Sequence, residues 1–446
     1  MQCWAGAVEQ SPTIVGMPGT PESDLSWLRG AGLADGRVVD VCLDTNSGTI
    51  LSVTDTRRTY PRPAAQGVTQ TDIDLEGFLL LPAPAEPHAH LDKALTADLL
   101  PNPKGDLRGA IDAWVAHLPN LTVEDIIERA RAATIELVAS GTTAIRTHVN
   151  VHPGLGTGAV EALVKVRNEL SAICDIQIVA LVGTPLTGNG LGAEYRAIYR
   201  DALLTDPKII AGGCPHIDPD PFGCSDIALA FAAEYGRPID LHTDETLDAK
   251  HLELAYLAQR VAETEFDLGA VASHCVSLGV QPLEVQNSVA RAVASAGVSV
   301  VTLPQTNLFL QGRDHPTSTP RGITALRPLL NAGVVIGAGA DNVRDPFNSM
   351  GRSDPFETAA LLVMAGHLLP SEAFHAVSTG ARLVMGLPPV VIAGGQPAEL
   401  VAVRGTTVGE ALARADQERM VWHRGKLVAS TRIDRAIFKP QQQISS

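Results

Sequence analysis

Two histidines in the stretch "EPHAHLDK" are spaced so that they could bind one metal ion together. His88 and His90 are separated by one residue and follow the apolar run "GFLLLPAP". On a β-strand, residues two positions apart point to the same face, so both imidazoles can reach one divalent cation. Alone, the pair also fits two polar residues at a strand end that bond to nearby carbonyl groups. The choice depends on whether later segments supply further ligands.

Suitable side chains recur where later apolar segments end. They are His148 in "RTHV", His216 in "CPHI", His242 and Glu245 in "HTDE", His274 in "ASHC", and Asp341 with Asn342 in "GADN". His242 would be a third nitrogen ligand and Asp341 a carboxylate ligand, with a water completing the shell. This mixed set suits Zn(II), Fe(II) or Mn(II) and does not choose among them. Such a metal would lower the pKa of its water, so that hydroxide exists near neutral pH.

Two further residues could move a proton or orient the water. Glu245 lies three residues after His242, and it can take a proton from the water and deliver it to a leaving nitrogen. The alternative is an acid favoured by the dipole of the following helix. His274 could orient the water or polarise the attacked carbon, and the alternative is a core histidine with its hydrogen bonds satisfied.

The elements that must position these residues alternate along the chain. Apolar strand-like segments are separated by helical segments such as "TVEDIIERARAATIELVASG", in which Thr122 and Asp125 have capping-box spacing and Gly141 is a stop signal. Counting "GFLLLPAPAEPHAH" as the first, there are about eight strands, which predicts a closed (β/α)8 barrel of parallel strands. In such a barrel the carboxyl ends of the strands share the face where active sites lie.

The flanking segments differ from this middle part. Near both ends of the chain, short strands joined by turns replace the alternation. We therefore predict a small β-sandwich composed of residues 1–80 and 388–446, beside a barrel that spans residues 81–387. The tail "PQQQISS" is expected to be mobile.

Composition excludes several classes of partner. The formal net charge is -15, so a groove for nucleic-acid phosphates is not expected. No apolar run approaches the roughly 20 residues that cross a bilayer, and the N-terminus lacks signal-peptide features. The six cysteines show no C-x-x-C pairing and are interpreted as reduced thiols. The sequence thus predicts a cytoplasmic enzyme that forms a homo-oligomer. Its substrates are expected to be a small molecule and water, and it is not expected to bind a membrane.

Several of these stretches, taken together, resemble one known family. "EPHAHLDKAL", "RTHV", "DIQIVAL", "HTDE", "ASHC", "NLFLQGRD", "RGIT" and "GADNVRDPF" are similar in order and spacing to the bacterial cytosine deaminase branch of the amidohydrolase superfamily. The resemblance runs from about Leu79 to Gly386. It implies a distorted (β/α)8 barrel with a β-sandwich and one divalent metal. It implies these roles: His88, His90, His242 and Asp341 as ligands, Glu245 as proton shuttle, His274 assisting the water, and Gln311 lining the pocket.

The chain departs from that branch at the positions that bind the pyrimidine. Gly183 stands where the cytosine-specific enzymes have a glutamine, Asn342 where they have a second aspartate, and Phe347 where they have a tryptophan. Losing a buried hydrogen-bonding partner costs about 1–3 kcal/mol, so cytosine is disfavoured as substrate. His216, which ends the fourth strand that Lys208 begins, takes the place of the carboxylated lysine of two-metal members. These four positions and Gln311 are the predicted substrate-binding residues.

The sequence thus predicts a metal-dependent hydrolytic deaminase that acts on an amino-substituted nitrogen heterocycle, a cytosine-like or related ring. The alternatives are removal of an alkylamine from a triazine-type ring, opening of a cyclic amide, and a non-catalytic binding protein. A dinucleotide-binding reading of Gly154, Gly156 and Ala159 is disfavoured. This motif follows the second strand, and the next strand ends without the acid that would bind a ribose.

Overall fold

The computed structural model describes residues 24–56 and 70–438, and these form two sheets of eight strands each. The first five strands are β1 Leu25–Gly32, β2 Val38–Asp44, β3 Thr49–Asp55, β4 Gln70–Asp74 and β5 Phe78–Pro82. The next eight are β6 Ala85–Ala89, β7 Ala144–Val151, β8 Asp175–Val182, β9 Ile210–Gly213, β10 Ile239–Thr243, β11 Ala270–His274, β12 Ser299–Thr302 and β13 Ile336–Ala338. The last three are β14 Leu400–Arg404, β15 Arg419–His423 and β16 Lys426–Ser430.

Strands β6 to β13 form a parallel barrel in chain order. Each strand pairs with its sequence neighbours, and a parallel bridge between Ala89 and Asp341 joins the first strand to the end of the last. The backbone N–H of Asp341 donates to the His88 carbonyl at 3.1 Å, which closes the ring next to the predicted metal ligands. The predicted (β/α)8 barrel is confirmed.

Helices cover the connections between these strands. The α-helices of the described part are Leu107–His117, Val123–Ala139, Gly158–Glu169, Leu191–Thr205, Pro221–Tyr235, Glu253–Glu263, Leu283–Ser295, Pro304–Leu310, Leu326–Asn331, Pro355–Met364, Pro370–His375, Ala381–Val384 and Val408–Arg414. The predicted cap is present, because Thr122 Oγ1 accepts from the Asp125 N–H at 3.2 Å. None of the described helices is long and apolar enough to span a membrane.

The second sheet is mixed and combines both ends of the described chain. Its order is β16-β15-β14-β5-β1-β2-β3, with β4 also paired to β1. The two ends of the chain meet where β14 pairs antiparallel with β5. Its own core contains Leu28, Val41, Leu80 and Trp422. The composite second unit expected from the two flanks is therefore present as a separate sheet. The domain bounds 1–80, 81–387 and 388–446 stay a prediction, and the tail "PQQQISS" lies outside the described residues.

The first predicted strand was wrong in one respect, because "GFLLLPAPAEPHAH" forms two strands. β5 belongs to the mixed sheet and β6 to the barrel. Leu79 and Leu81 pack into the barrel core, while Leu80 packs into the core of the mixed sheet. β5 is therefore buried on both faces, and this gives it the continuous apolar run that looked like the start of a barrel strand.

Candidate active site

Four predicted ligand atoms meet where β6, β10 and β13 end. His88 Nε2 and His90 Nε2 each lie 3.2 Å from His242 Nε2. Asp341 Oδ1 lies 3.1 Å from His90 Nε2 and 3.7 Å from His88 Nε2. Nitrogen and oxygen ligands about 2.0–2.2 Å from a tetrahedral Zn²⁺ lie roughly 3.3–3.5 Å from one another. These four separations, 3.1 to 3.7 Å, are close to those between ligands of a single small cation.

The hydrogen bonds of the histidines leave lone pairs directed at this point. His88 Nδ1 lies 2.9 Å from Ser273 Oγ, whose hydroxyl donates to Asp240 Oδ1 at 2.9 Å, so His88 Nδ1 must be the protonated nitrogen. His90 Nδ1–H donates to the His148 carbonyl at 3.0 Å. Burial, with nearby positive charges adding to it, lowers the pKa of both histidines well below the usual range, so both rings are neutral.

The aspartate oxygen at the same point lacks a hydrogen-bond donor. Within residues 24–56 and 70–438, Asp341 Oδ1 is buried and has no hydrogen-bond partner. A buried carboxylate oxygen without a donor is costly, and a divalent cation among the three neutral imidazoles would compensate for it. The site therefore fits a metal ion, which His88, His90, His242 and Asp341 would hold.

Buried polar residues behind the site fix the position of His88 and connect the first barrel strand to the segment that follows the last one. Asp240 is two residues before His242 on β10, and its Oδ2 accepts from Arg146 Nη1 at 2.8 Å. Glu86 Oε1 accepts from the His88 N–H at 3.1 Å, and Glu86 Oε2 accepts from the Ala340 N–H at 2.9 Å. Burial raises the pKa of Glu86 to about 8. The sequence reasoning missed both acids, although each lies two positions before a predicted ligand on the same strand face.

His148 lies deeper in the barrel than its predicted strand-end position. It is the fifth of eight residues in β7, so the strand continues for three residues beyond it. Its ring stacks on His88 with centroids 3.8 Å apart, and its Nε2 lies 3.7 Å from Asp240 Oδ2. His148 therefore packs behind His88.

Glu245 and His274 lie beside the four ligand atoms. Glu245 Oε1 is 3.6 Å from His274 Nδ1, and His274 Nε2 is 4.0 Å from Asp341 Oδ2. Burial raises the pKa of Glu245 to about 8, against the charge of Lys93. A carboxyl group that titrates near neutral pH can carry a proton in both directions. His274 Nδ1 lies 3.1 Å from Asn307 Oδ1 and must donate to it, which leaves the Nε2 lone pair on the side of Asp341.

Backbone strain accompanies these side chains. Asp244, His274 and Asp341 all have positive φ, at 53°, 71° and 74°. Residues other than glycine adopt this left-handed region at a cost, and such residues concentrate at functional sites. At each of these three residues the backbone changes direction at or just after the end of a barrel strand.

A cavity with about 940 Å³ of empty space, its open mouth included, extends from this cluster. His216, Gly183, Asn342 and Phe347 all line it, as their predicted role in substrate binding requires. Gln311 does not line it, because its side-chain amide instead donates to the Glu245 carbonyl at 3.2 Å. The substrate-binding roles of these five residues stay predictions.

The structure adds lining residues that the sequence reasoning did not single out. Helix Leu107–His117 contributes an apolar wall that includes Ile111 and Trp114. Tyr195 occupies the space beside Gly183, since a Cβ on that glycine would lie 2.5 Å from Tyr195 Cε1. Lys93 lies in the cavity wall next to the "HAH" ligands. No spacing signal marks Tyr195, whereas Lys93 is only three residues after His90.

Comparisons with known proteins agree with this geometry. A model described as "Amidohydrolase family" matches residues 199–429. Pterin deaminase from Rhizobium rhizogenes is 33% identical over 80% of this chain and 82% of its own length. N-isopropylammelide isopropyl amidohydrolase from Pseudomonas sp. is 27% identical over 66% of this chain and 71% of its own length.

A solved structure extends the comparison to the whole fold. The structure of 5-methylcytosine deaminase from Klebsiella pneumoniae, bound to 5-fluorocytosine, superposes with a TM-score of 0.82 at 25% identity, covering 92% of this chain and 99% of the other. The family match, the pterin deaminase relative and the barrel agree with one another. The chain belongs to the amidohydrolase family and is a hydrolase of carbon–nitrogen bonds.

Proposed function

We propose that this protein hydrolytically deaminates an amino-substituted nitrogen heterocycle, with one divalent ion held by His88, His90, His242 and Asp341. The observation that carries the proposal is the convergence of three neutral imidazole nitrogens and one carboxylate oxygen, beside Glu245 and at the base of a cavity. His242 Nε2 is 3.2 Å from both His88 Nε2 and His90 Nε2, and Asp341 Oδ1 is 3.1 Å from His90 Nε2 and 3.7 Å from His88 Nε2. Nothing about barrel folding requires this set.

The reaction exchanges a ring C–NH2 group and water for a ring C=O group and ammonia. The divalent ion supplies hydroxide near neutral pH by lowering the pKa of a water molecule. Glu245 would take one proton of that water on a carboxylate oxygen and deliver it to a ring nitrogen, and it would then pass the second proton of the water to the departing amine. The Nε2 lone pair of His274 accepts a hydrogen bond from the water and orients it, because Asn307 holds the proton on Nδ1.

A single ion is favoured by the surroundings of the fourth barrel strand. Lys208 precedes β9 and its side chain is exposed to solvent, away from the cavity. His216 follows β9 and its Nε2 lies 4.0 Å from Glu245 Oε2. No lysine therefore ends this strand to bridge two ions. The choice among Zn, Fe and Mn, the homo-oligomeric state and the cytoplasmic location stay predictions.

A fused bicyclic ring is our first candidate substrate. The pterin deaminase relative matches 80% of this chain, and the cavity opens beside Glu245 and the four ligand atoms. Tyr195 and Trp114 give this cavity flat aromatic walls, which suit a planar ring. Gly183 and Asn342 differ from the residues of the cytosine-specific enzymes at these positions, which agrees with a substrate ring other than cytosine.

A second candidate is release of an alkylamine instead of ammonia. The apolar wall of helix Leu107–His117 would accommodate an alkyl group, and the relative from Pseudomonas is an isopropyl amidohydrolase. The same protein groups would act, since only the substituent on the departing nitrogen differs.

An amine-release screen tests the proposal. Metal-loaded protein is incubated with 2-amino-4-oxopteridine, aminopyrimidines, aminotriazines and N-alkylaminotriazines, and ammonia and alkylamine are measured separately. We expect ammonia from at least one amino heterocycle. Alkylamine without ammonia would select the second candidate, and neither product from fully metal-loaded protein would overturn both.

A further inference from the structure

Lys93 carries a positive charge into the wall of the active-site cavity. Its side chain is only 3% exposed. The ammonium Nζ donates to Asn150 Oδ1 at 3.0 Å, and it lies 4.7 Å above the centre of the Phe347 ring and 5.8 Å from that of Trp114. Asn150, Phe347 and Trp114 all line the cavity. The ammonium is therefore at the cavity surface and not in the packed core.

The described residues satisfy this ammonium only in part. An ammonium has three N–H donors, and Asn150 Oδ1 accepts one of them. The faces of two aromatic rings attract a cation but accept no full hydrogen bond. No carboxylate in the described ranges lies within 4.0 Å of Nζ. Glu245, Asp341 and Asp345 attract this charge at longer range, but none of them pairs with it directly, so two N–H donors are left for a ligand.

A ligand in the cavity would supply the missing acceptor. We propose that Lys93 donates a charge-assisted hydrogen bond to an exocyclic oxygen of the substrate ring, so that the enzyme selects amino heterocycles that also carry an oxo group. This inference rests on the proposed function and names its substrate class. Hydrogen bonds from a charged donor are shorter and stronger than neutral ones, which makes the contact a large part of recognition.

An oxo group fits this position better than a carboxylate substituent. Glu245 and Asp341 line the same cavity, so a ligand with a full negative charge would face two acidic groups as well as one ammonium. A ring carbonyl has only partial negative charge and lies in the plane of the ring. The aromatic neighbours of Lys93, Trp114 and Phe347, have flat rings against which such a planar edge can pack.

The test uses two ligands that differ in one oxygen. Steady-state rates are measured for 2-amino-4-oxopteridine and 2-aminopteridine with the wild-type protein, Lys93→Met and Lys93→Arg. Lys104→Met, which removes an exposed lysine outside the cavity, is the control. Calorimetric binding of 2,4-dioxopteridine, the deaminated product, to the metal-loaded proteins gives a readout that needs no turnover. Metal content and melting temperature verify that each variant is folded.

We expect Lys93→Met to weaken binding of the dioxopteridine more than tenfold and to raise KM for the oxo substrate similarly. The 2-aminopteridine should change less than twofold, and Lys104→Met should change neither. Equal losses for both ligands in a folded variant would overturn the inference. If no ring is deaminated but dioxopteridine binds in a Lys93-dependent way, the inference stands while the proposed function fails.

Discussion

The Nε2 atoms of His88 and His242 lie 3.2 Å apart although both histidines are neutral and buried. At this distance two lone pairs repel unless a proton or a cation lies between them. Burial, with neighbouring histidines adding to it, lowers the pKa of both residues well below the usual range, so neither ring carries a second proton. A neutral His242 has at most one Nε2–H, which cannot satisfy the Nε2 atoms of both His88 and His90 at 3.2 Å. A divalent cation would resolve the repulsion and pair with the Asp341 carboxylate at the same time.

Removal of the cation is therefore expected to destabilise the fold. A ligand present at about 100 times its dissociation constant stabilises the native state by about 2.7 kcal/mol. We expect a strong chelator to lower the melting temperature of the wild-type protein by several degrees, as measured by calorimetry, and re-addition of the metal to restore it. In His242→Ala the chelator should have little effect, and an undiminished shift there would contradict the proposed ligand set.

Glu245→Gln tests the proton shuttle. Glutamine keeps the size and polarity of the side chain but cannot take a proton, so kcat should fall by about 10²–10⁴-fold. Metal content, measured by elemental analysis, should stay at the wild-type value, since Glu245 is not a proposed ligand. Glu284→Gln, at an exposed position on helix Leu283–Ser295, is the matched control and should leave kcat unchanged. Full activity in Glu245→Gln would remove the shuttle from the mechanism.

Ser273→Ala tests the support behind His88. The hydroxyl connects His88 Nδ1 to Asp240 Oδ1, with both distances 2.9 Å, and so fixes the ring orientation and its tautomer. Losing such a partner behind a metal ligand typically weakens metal affinity by about 10–100-fold. Competition titration against a chromophoric chelator would measure this loss.

Ser225→Ala provides a control of similar burial. Its hydroxyl donates to the Pro221 carbonyl within its own helix, and it does not line the cavity. Metal affinity in this variant should match the wild type. Equal affinity in Ser273→Ala would show that His88 keeps its orientation without the hydroxyl.

Sequence reasoning reached the barrel and its ligand-bearing strand ends because both have local signals. Apolar periodicity marks the strands, and the spacing of His88 and His90 places two imidazoles on one face. The assignment of "GFLLLPAP" to the first barrel strand was wrong, since a strand buried between two cores has the same composition as a buried barrel strand. The roles of Ser273 and Lys93 depend on strand register and on closure of the cavity, which no single segment encodes.

Gly183 and Tyr195 should be energetically coupled. An ideal Cβ on Gly183 would lie 2.5 Å from Tyr195 Cε1 and 2.9 Å from its hydroxyl oxygen. Gly183→Ala should therefore destabilise the protein by about 1–3 kcal/mol through overpacking. In a Tyr195→Ala background the same change should cost far less, giving a coupling energy of about 0.5–3 kcal/mol in urea unfolding. Additive effects would mean that Tyr195 moves aside without cost.

Asp345 makes stability depend on pH. Burial raises its pKa from 3.8 to about 6, against the positive charge of Lys93 and a hydrogen bond that Asn342 Nδ2 donates to its Oδ2 at 2.8 Å. Because the native state binds the proton more tightly than the unfolded state, the stabilisation is complete below about pH 4 and is lost as pH rises through about 6. Two pKa units correspond to about 3 kcal/mol.

Asp345→Asn removes this titration while keeping an oxygen acceptor for the Phe347 N–H. The free energy of unfolding of the wild type, minus that of the variant, should therefore fall by about 2–3 kcal/mol between pH 4 and pH 7. Taking the difference cancels the histidines and other carboxyl groups that titrate in both proteins. Denaturant unfolding at several pH values measures it, and a difference that is flat or rises with pH would show that the Asp345 carboxyl is ionised throughout.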